Sequence, residues 1–496
     1  MTEEGKDSHL VTEEPIFKPR MSPNKPGKLK YGRTFLIGLA FFCSSLAWNY
    51  YNFIMPILLK DYYKSMGLIQ GIDTAIGVVM ILDNIIAIVL LPIFGALSDK
   101  TKSKFGKRMP YILIGASSAI IAFSVIGLLS QNRGVAAFVG FISVVMWFNL
   151  SMAFFRSASV SLMPDLTDPE VRSTGNAIIN LMGAFAMVIA LIGPTLMGMI
   201  YDVRWISFEN KSRAGGFYYV SILTALALII LFLTIKETPT GKKFMEIGDH
   251  PIAVDPITLE YIGENVEENK QKETIWQSLK AIFTEKEKSA IFMLLVIFTW
   301  FLGYNAMDTY YSLYATQLLG WEESSASQAL MVAPITMIIT AVFSGKLAEK
   351  IGRKRTIFIG LIGLSATILV LMFVKTFILV VILIAIVGVF YGMININTIV
   401  IIWQMAPEGK LGTYTGAYYF FSQMSATVGP LAAGVTFDIY KSITNAVEGT
   451  QYVMLFPYLV FWELVAMVFL SRVKRGETKK FSEKKLAELR DKYEED

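Results

Sequence analysis

Apolar residues fall in runs of about 20, the length a helix needs to cross roughly 30 Å of hydrocarbon. Twelve such runs occupy 34–58, 74–97, 110–130, 134–157, 174–200, 217–236, 290–315, 326–345, 356–374, 378–403, 413–437 and 452–471, separated by polar stretches. Runs of this length and composition cannot be strands, because a backbone amide in lipid has to be paired within its own segment. The expected fold is all-α, a polytopic membrane protein of twelve transmembrane helices.

One polar stretch is far longer than the rest. Residues 237–289 separate six apolar runs (34–236) from six more (290–471), with polar tails at 1–33 and 472–496. The stretch reads as an interdomain linker; its end, Ile275 to Phe283, has apolar residues at helical spacing and reads equally as a membrane-surface helix or a solvated one. Two signatures recur, one copy in each block. GALSDKTKSKFGKR from Gly95 is answered by GKLAEKIGRKR from Gly345, and GPTLMGMIYD from Gly193 by GPLAAGVTFD from Gly429. Each pair follows or ends the corresponding run of its block, so a duplicated fold of two pseudo-symmetric six-helix bundles is expected. Repeats of this kind place a substrate site near the bilayer midplane between the halves.

The charge pattern orients these runs. With the basic N-terminal tail placed inside, 36 of the 45 lysines and arginines lie on that side and 8 on the other. This asymmetry puts both termini in the cytoplasm and fits an even number of spans in a cell membrane. The 33-residue leader is too long and too basic for a cleavable signal peptide.

Composition narrows the chemistry. The chain is 54% hydrophobic and 17% charged, against about 25% charged in soluble domains, which excludes disorder and speaks against nucleic-acid binding. The single cysteine, Cys43, permits no disulfide framework and no Cys-based metal site, and the two histidines, His9 and His250, lie in polar stretches. No metal or cofactor is called for. No nucleophile and base pair is visible within the runs, so an enzyme is not expected, and no G-x4-G-K-(S/T) loop occurs for ATP-driven transport.

Ionisable side chains within a run cost several kcal/mol and are functional candidates by default, with a helix-pairing charge as the rival reading. Only Asp83, Asp308, Glu463 and Arg156 qualify. Asp83 lies nine residues from Thr74, about 14 Å below the outer face at 1.5 Å per residue, and is either an ion-coupling carboxylate or a structural charge partner. Arg156 has Asn149 one heptad earlier on its helix face; its guanidinium can fork onto sugar hydroxyls or a carboxylate, or snorkel at the helix end. Asp308 shares a face with Tyr304 and Tyr311 and is next to Asn305. An acid among phenols and an amide offers hydroxyl acceptors and flat faces for a sugar ring, though aromatic stripes also serve packing. Trp48, Asn49, Tyr51, Asn52, Asn176, Asn180, Asn395, Asn397, Tyr418 and Gln423 are weaker candidates, each taken alone reading sooner as a helix–helix hydrogen bond than as a site residue. Glu463 lies in the last run and reads as a paired or protonated acid.

The two basic loops read as latches or as simple orientation signals. An acid at a helix end (Asp99, Glu349) can accept from a neighbouring helix N-terminus or an arginine such as Arg108 or Arg353, while Gly95 and Gly345 allow close approach.

The paired loops and the half-repeat layout resemble the major facilitator superfamily over about residues 30–475. SDKTKSKFGKRMPY, FFRSASVSLMPDLT and MAPEGKLGTYTGAYYFFSQ resemble its sucrose-transporter-like and glycoside-pentoside-hexuronide:cation symporter branches. The resemblance implies gating roles for Gly95, Asp99 and Gly106, with Arg108, Gly345, Glu349, Gly352 and Arg353 at matching loop positions, and a substrate or coupling role for Arg156. The chain departs from the branch in lacking an acid within residues 134–155, so coupling falls on Asp83 or Asp308 or is absent. The implied function is a monomeric secondary transporter of a sugar-like small molecule, coupled to H+ or Na+, working by alternating access within the lipid bilayer. The rival functions are an exporter of drugs or other metabolites and a non-transporting sensor with the carrier fold.

Overall fold

The computed structural model describes residues 31–101, 103–166, 172–201, 211–237, 244–247, 250–253, 282–284, 287–406 and 411–476. Most of both tails and of the linker, including the surface-helix reading before residue 282, lies outside the described residues, as do the side chains of Asp99, Asn176 and Glu349. The helices are α1 (Tyr31–Ser65), α2 (Ile72–Met80), α3 (Leu82–Lys100), α4 (Met109–Leu129), α5 (Val135–Leu166), α6 (Arg172–Tyr201) and α7 (Lys211–Thr234). They continue as α8 (Ser289–Leu313), α9 (Glu323–Ile351), α10 (Arg353–Leu371), α11 (Phe377–Met405), α12 (Leu411–Thr444) and α13 (Leu455–Arg472). A π-helical turn, Tyr314–Leu318, ends α8, and a 3-10 turn, Thr450–Met454, precedes α13.

Eight of the described helices are long and apolar enough to cross a membrane, and the chain is a multi-pass membrane protein. Among described residues the one non-helical element is a hairpin in the linker, β1 (Phe244–Ile247) and β2 (His250–Ala253), antiparallel with Phe244 opposite Ala253. It departs from the all-α expectation outside the apolar runs. Paired across the hairpin, its backbone satisfies its polar groups without a membrane around it.

Among the N-terminal helices, α1 packs on α6 and α7, and α5 on α3 and α4; among the C-terminal ones, α11 packs on α9 and α10, and α8 on α12 and α13. Four contacts among the described helices join the two sets: α1 with α8, α6 with α9, and α2 and α3 with α12. Small residues permit the tightest approaches. A Cβ on Gly77 would lie 2.9 Å from the Pro430 carbonyl oxygen, and one on Gly434 would clash with that of Asp73.

The run 74–97, expected as one helix, is broken at Ile81. Asp83 and Asn84 open the second piece, where short polar side chains compete for backbone donors and favour a helix start over a helix interior. Pro56, Pro194, Pro334 and Pro430 lie inside α1, α6, α9 and α12. Each lacks an N–H and so releases the carbonyl four residues earlier. Pro56 frees that of Asn52. Pro430 frees that of Ala426, which accepts a long 3.4 Å hydrogen bond from Asn84 Nδ2.

Candidate functional site

Midway along the helices, α1, α3, α5 and α8 bring four of the singled-out residues together. Asp83 is under the electrostatic influence of Arg156 and of Asp308, and Asn52 on α1 donates from Nδ2 to Asp308 Oδ2 on α8 at 2.7 Å. Asn52, Asp83, Arg156 and Asp308 are all half-buried. Arg156 acts on Asp83 through space, without a direct salt bridge, which leaves its donors for another group.

The N-terminal wall is polar and unsatisfied. Trp48 Nε1, the Tyr51 hydroxyl, Asp83 Oδ1 and both amide atoms of Asn149 are buried with no hydrogen-bond partner. The Asn149 amide approaches the Tyr51 hydroxyl without hydrogen-bonding geometry. Aromatic packing holds these groups in place. Trp48 meets Tyr51 edge-on at 5.4 Å, and Phe148 stacks on Tyr51 at 5.5 Å. Buried polar atoms are almost always paired, since each orphan costs about 1–3 kcal/mol, so a concentration of them marks a surface built for something else to bind.

The C-terminal wall is aromatic. Trp300, Tyr304 and Asp308 recur every four residues on one face of α8. Tyr391 from α11 lies 4.7 Å from the Tyr304 ring and 5.3 Å from that of Trp300. Tyr418 on α12 is buried and meets Tyr419 edge-on at 5.4 Å. Gln423 on α12 donates to the Asn84 side-chain oxygen, next to Asp83.

Other expected site residues are spent on packing. Asn305 donates to the Phe301 carbonyl of its own helix at 2.7 Å, and the fully buried Tyr311 to the Ala326 carbonyl at 3.2 Å. Asn49 bonds its own helix at Ser45, and Asn397 joins Ser344 to Arg353. Glu463 lies elsewhere, accepting from Ser365 at 2.6 Å between α10 and α13. Trp300 was legible from the four-residue spacing to Tyr304. Tyr391 was not, because a lone tyrosine in an apolar run carries no periodic signal.

The first basic loop forms a local clasp. Arg108 donates from Nε to Asp165 at 2.8 Å, to Ser98 Oγ, and to the Gly95 carbonyl at 3.4 Å. Glu237 accepts from the backbone N–H groups of Arg108 and Met109 at 2.8 and 3.0 Å, capping α4. The sequence reading gave the role of accepting from a neighbouring helix N-terminus to Asp99 and Glu349, whose side chains lie outside the described residues; at the start of α4 Glu237, beyond α7, fills it. Gly106 has φ of 94°, and a Cβ there would collide with the Glu237 carboxyl, so glycine alone fits. Gly95 approaches Ser157 closely, with a Cβ only 3.2 Å from Oγ, but Gly345 faces open space, so close helix approach does not explain its glycine. Gly352 turns the chain between α9 and α10 with φ of 97°, and Arg353 reaches Asn397 at 3.3 Å.

A second polar cluster, missed by the sequence reading, closes the end of the molecule opposite the described termini. Lys60 and Asp73, each 1% exposed, share Tyr452, whose hydroxyl accepts from Lys60 at 2.6 Å and donates to Asp73 at 2.5 Å. Glu448 pairs with Lys60 at 2.7 Å and also with Lys441. Asp438 accepts from the backbone N–H and hydroxyl of Thr74 at 2.8 and 2.6 Å. Arg213 joins Asp61 at 2.6 Å to Glu323 on α9.

The family model described as Major Facilitator Superfamily matches residues 37–430 and 316–492. A lactose permease of Lactobacillus helveticus is 28% identical over 34% of this chain and 26% of its own length. A sucrose transport protein of Arabidopsis thaliana is 25% identical over 45% of this chain and 41% of its own. The chain thus spans less than half the length of both relatives. Among solved structures, the nucleoside transporter NupG superposes with a TM-score of 0.59 at 13% identity, covering 88% of this chain and 98% of that one; at that identity the likeness is one of fold.

Proposed function

The chain belongs to the Major Facilitator Superfamily, and from that membership we propose that it moves a sugar or glycoside together with a monovalent cation, a proton or sodium ion. It is a secondary transporter, not an enzyme. In this reading twelve helices form two six-helix halves, 34–236 and 290–471, joined by the 237–289 linker. Both termini face the cytoplasm, and the halves rock about a site near the midplane.

The observation that carries the substrate class is the set of orphaned polar atoms opposite an aromatic wall. Trp48, Tyr51, Asp83 and Asn149 leave two donors, a hydroxyl and two acceptors unpaired, the mixed demand that a polyol meets and an apolar drug does not. Trp300, Tyr304 and Tyr391 offer flat faces to the C–H side of a ring. The cargo of the lactose permease and the sucrose transport protein, as their names give it, agrees with this reading.

The charges support the coupling. Asp83 and Asp308 against Arg156 leave the ionised site one negative charge in excess. A net charge in a low-dielectric site is costly, and one monovalent cation cancels it. A neutral sugar keeps the balance, whereas an anionic substrate would restore the excess.

The test is counterflow in liposomes containing the purified protein, with labelled mono- and disaccharides, each with a proton gradient, a sodium gradient or neither. Exchange of a sugar without any gradient and accumulation with one gradient are expected. Exchange of apolar drugs and of no sugar would reject the reading.

A further inference from the structure

Helices α10 and α13 pack against each other and run antiparallel. Lys354, at the start of α10, donates to the Val473 carbonyl just beyond α13 at 2.6 Å, and further along Ser365 donates to Glu463. Each helix turns one stripe of side chains outward. On α10 the exposed positions include Arg355, Ile359 and Ile362; on α13 they include Arg472, Val468, Leu464 and Phe461. The spacing of three and four residues is that of a single helix face. In a multi-pass membrane protein such apolar stripes face acyl chains, and both end in an exposed arginine at the end of the molecule that carries the described termini.

The basic segment there is fixed in place. Lys474 and Arg475 follow Arg472 over the start of α8, where their backbone N–H groups donate to Ser289 Oγ at 2.8 and 3.2 Å. Arg475 lies 3.6 Å from Glu287, but Arg355 and Arg472 have no carboxylate partner among the described residues. A signal for membrane orientation needs only basic residues on one side, and the first half meets that need differently. Gly106 and Gly352, both with positive φ, introduce α4 and α10. Three residues further on, α10 has Arg355 where α4 has the buried Met109, and the intervening Lys107 and Arg108 both pair with Asp165. The unpaired arginines above a two-helix apolar face are therefore particular to α10 and α13.

We propose that this face holds one anionic glycerophospholipid, its phosphate on Arg355 and Arg472 and its two acyl chains along the stripes of α10 and α13. A phosphodiester brings one negative charge and oxygens that accept forked guanidinium bonds. The ammonium of a zwitterionic lipid meets the same arginines with like charge, which disfavours it. In the orientation proposed above the lipid belongs to the inner leaflet. The site is separate from the midplane residues and does not depend on what the chain carries.

The test is native mass spectrometry of the full-length protein in detergent, titrated with palmitoyl-oleoyl phosphatidylglycerol or with the phosphatidylcholine of the same chains. One retained phosphatidylglycerol per protein is expected, in preference to phosphatidylcholine. Arg355→Gln with Arg472→Gln should weaken it about thirtyfold, the combined effect of two basic residues at a membrane surface. The paired lysine variants, which keep the charge, should lose only a few-fold. Lys100→Gln with Lys104→Gln removes the same charge from exposed positions of the first basic loop and should change retention less than twofold. Should the double glutamine variant fold poorly, Arg472→Gln alone is expected to weaken retention about fivefold.

Equal retention of the two lipids by the parent overturns the proposal, since acyl chains alone would then account for binding. Equal losses in the two double glutamine variants overturn it in favour of a diffuse basic face. Glycerophosphoglycerol, the headgroup without chains, should fail to displace the lipid at equimolar concentration; displacement would mark a free phosphate-ester site and reject the lipid.

Discussion

The Asn52 side chain donates to the Asp308 carboxylate across the contact between α1 and α8, at 2.7 Å. Both residues are half-buried, and the bond joins an N-terminal to a C-terminal helix at the level of Asp83 and Arg156. Such a bond must break if the halves part there, and it occupies one carboxylate oxygen that a substrate hydroxyl could use. Asn52→Ala should therefore weaken the join and free the oxygen. Sugar affinity, measured by thermal shift, is expected to change less than about tenfold, while Asp308→Ala should lower it by more than about tenfold, the range of a lost hydrogen bond to a charged group. Equal effects of the two variants would place Asp308 in helix pairing.

Arg156 feels the charge of Asp83 without a direct salt bridge to it, and so has donors to spare. Lysine keeps the charge but not the planar fork of five N–H groups. Arg156→Lys is expected to preserve folding and cation response yet to reduce sugar affinity by about ten- to a hundredfold. A variant with normal sugar affinity would reduce Arg156 to a counter-charge for Asp83.

The lipid environment made the fold readable. Because an apolar helix must close its own hydrogen bonds, runs such as 110–130 and 378–403 reappear as α4 (Met109–Leu129) and α11 (Phe377–Met405) with ends shifted by a few residues. The break at Ile81 was hidden, since hydropathy records how apolar a run is and not whether its ladder is continuous. The same rule that made Asp83, Arg156 and Asp308 conspicuous concealed Lys60 and Asp73. They lie just beyond the apolar runs, where a charge looks solvated, and only the approach of Tyr452 and Glu448 from nearly 400 residues away buries them. Tyr311 and Asn305 misled because helical spacing places them beside Asp308 without telling which neighbour each one faces.

Gly115 supports the site from behind. A Cβ there would lie 2.8 Å from the backbone nitrogen of Phe155 and 2.9 Å from its Cα, atoms that no side-chain rotation can move. Gly115→Ala should push α5 away from α4 and shift the adjacent Arg156. Overpacking of this kind costs about 1–3 kcal/mol, so a lower unfolding temperature together with weaker sugar binding is expected. Loss of stability alone would mean that α5 moves as a body and carries its site residues with it.

At the closed end, partial burial pushes the Glu448 carboxyl up, but its bonds and charge contacts with Lys441 and Lys60 outweigh this and bring it down to about 2. A depressed carboxyl contributes stability that is fully present above its ordinary value, near 4.5, and is lost as pH falls toward 2. The ion pairs therefore stay charged across the physiological range. Glu448→Gln should lower the unfolding temperature by a constant amount from pH 8 to pH 5, and the gap to the parent should shrink below pH 4.5. A gap that instead closes between pH 6 and 8 would assign the effect to another group.

The coupling assignment rests on the carboxylate that has an orphaned oxygen and opens the second piece of a broken helix. If Asp83 carries the driving ion, Asp83→Asn removes the charge that the ion neutralises while keeping the shape. Downhill exchange of sugar should persist, because exchange never requires the ion to be released, and accumulation against a gradient should vanish. A structural charge pair with Arg156 predicts something different. Removing one member of a buried pair leaves the other uncompensated at a cost of about 3–5 kcal/mol, so Asp83→Asn would be poorly folded, and the double variant Asp83→Asn with Arg156→Gln would recover. Expression level, unfolding temperature and the ratio of uphill to exchange transport separate the two. A well-folded Asp83→Asn carrier that still accumulates sugar would exclude both and move the coupling to Asp308, whose one hydrogen bond comes from a neutral amide.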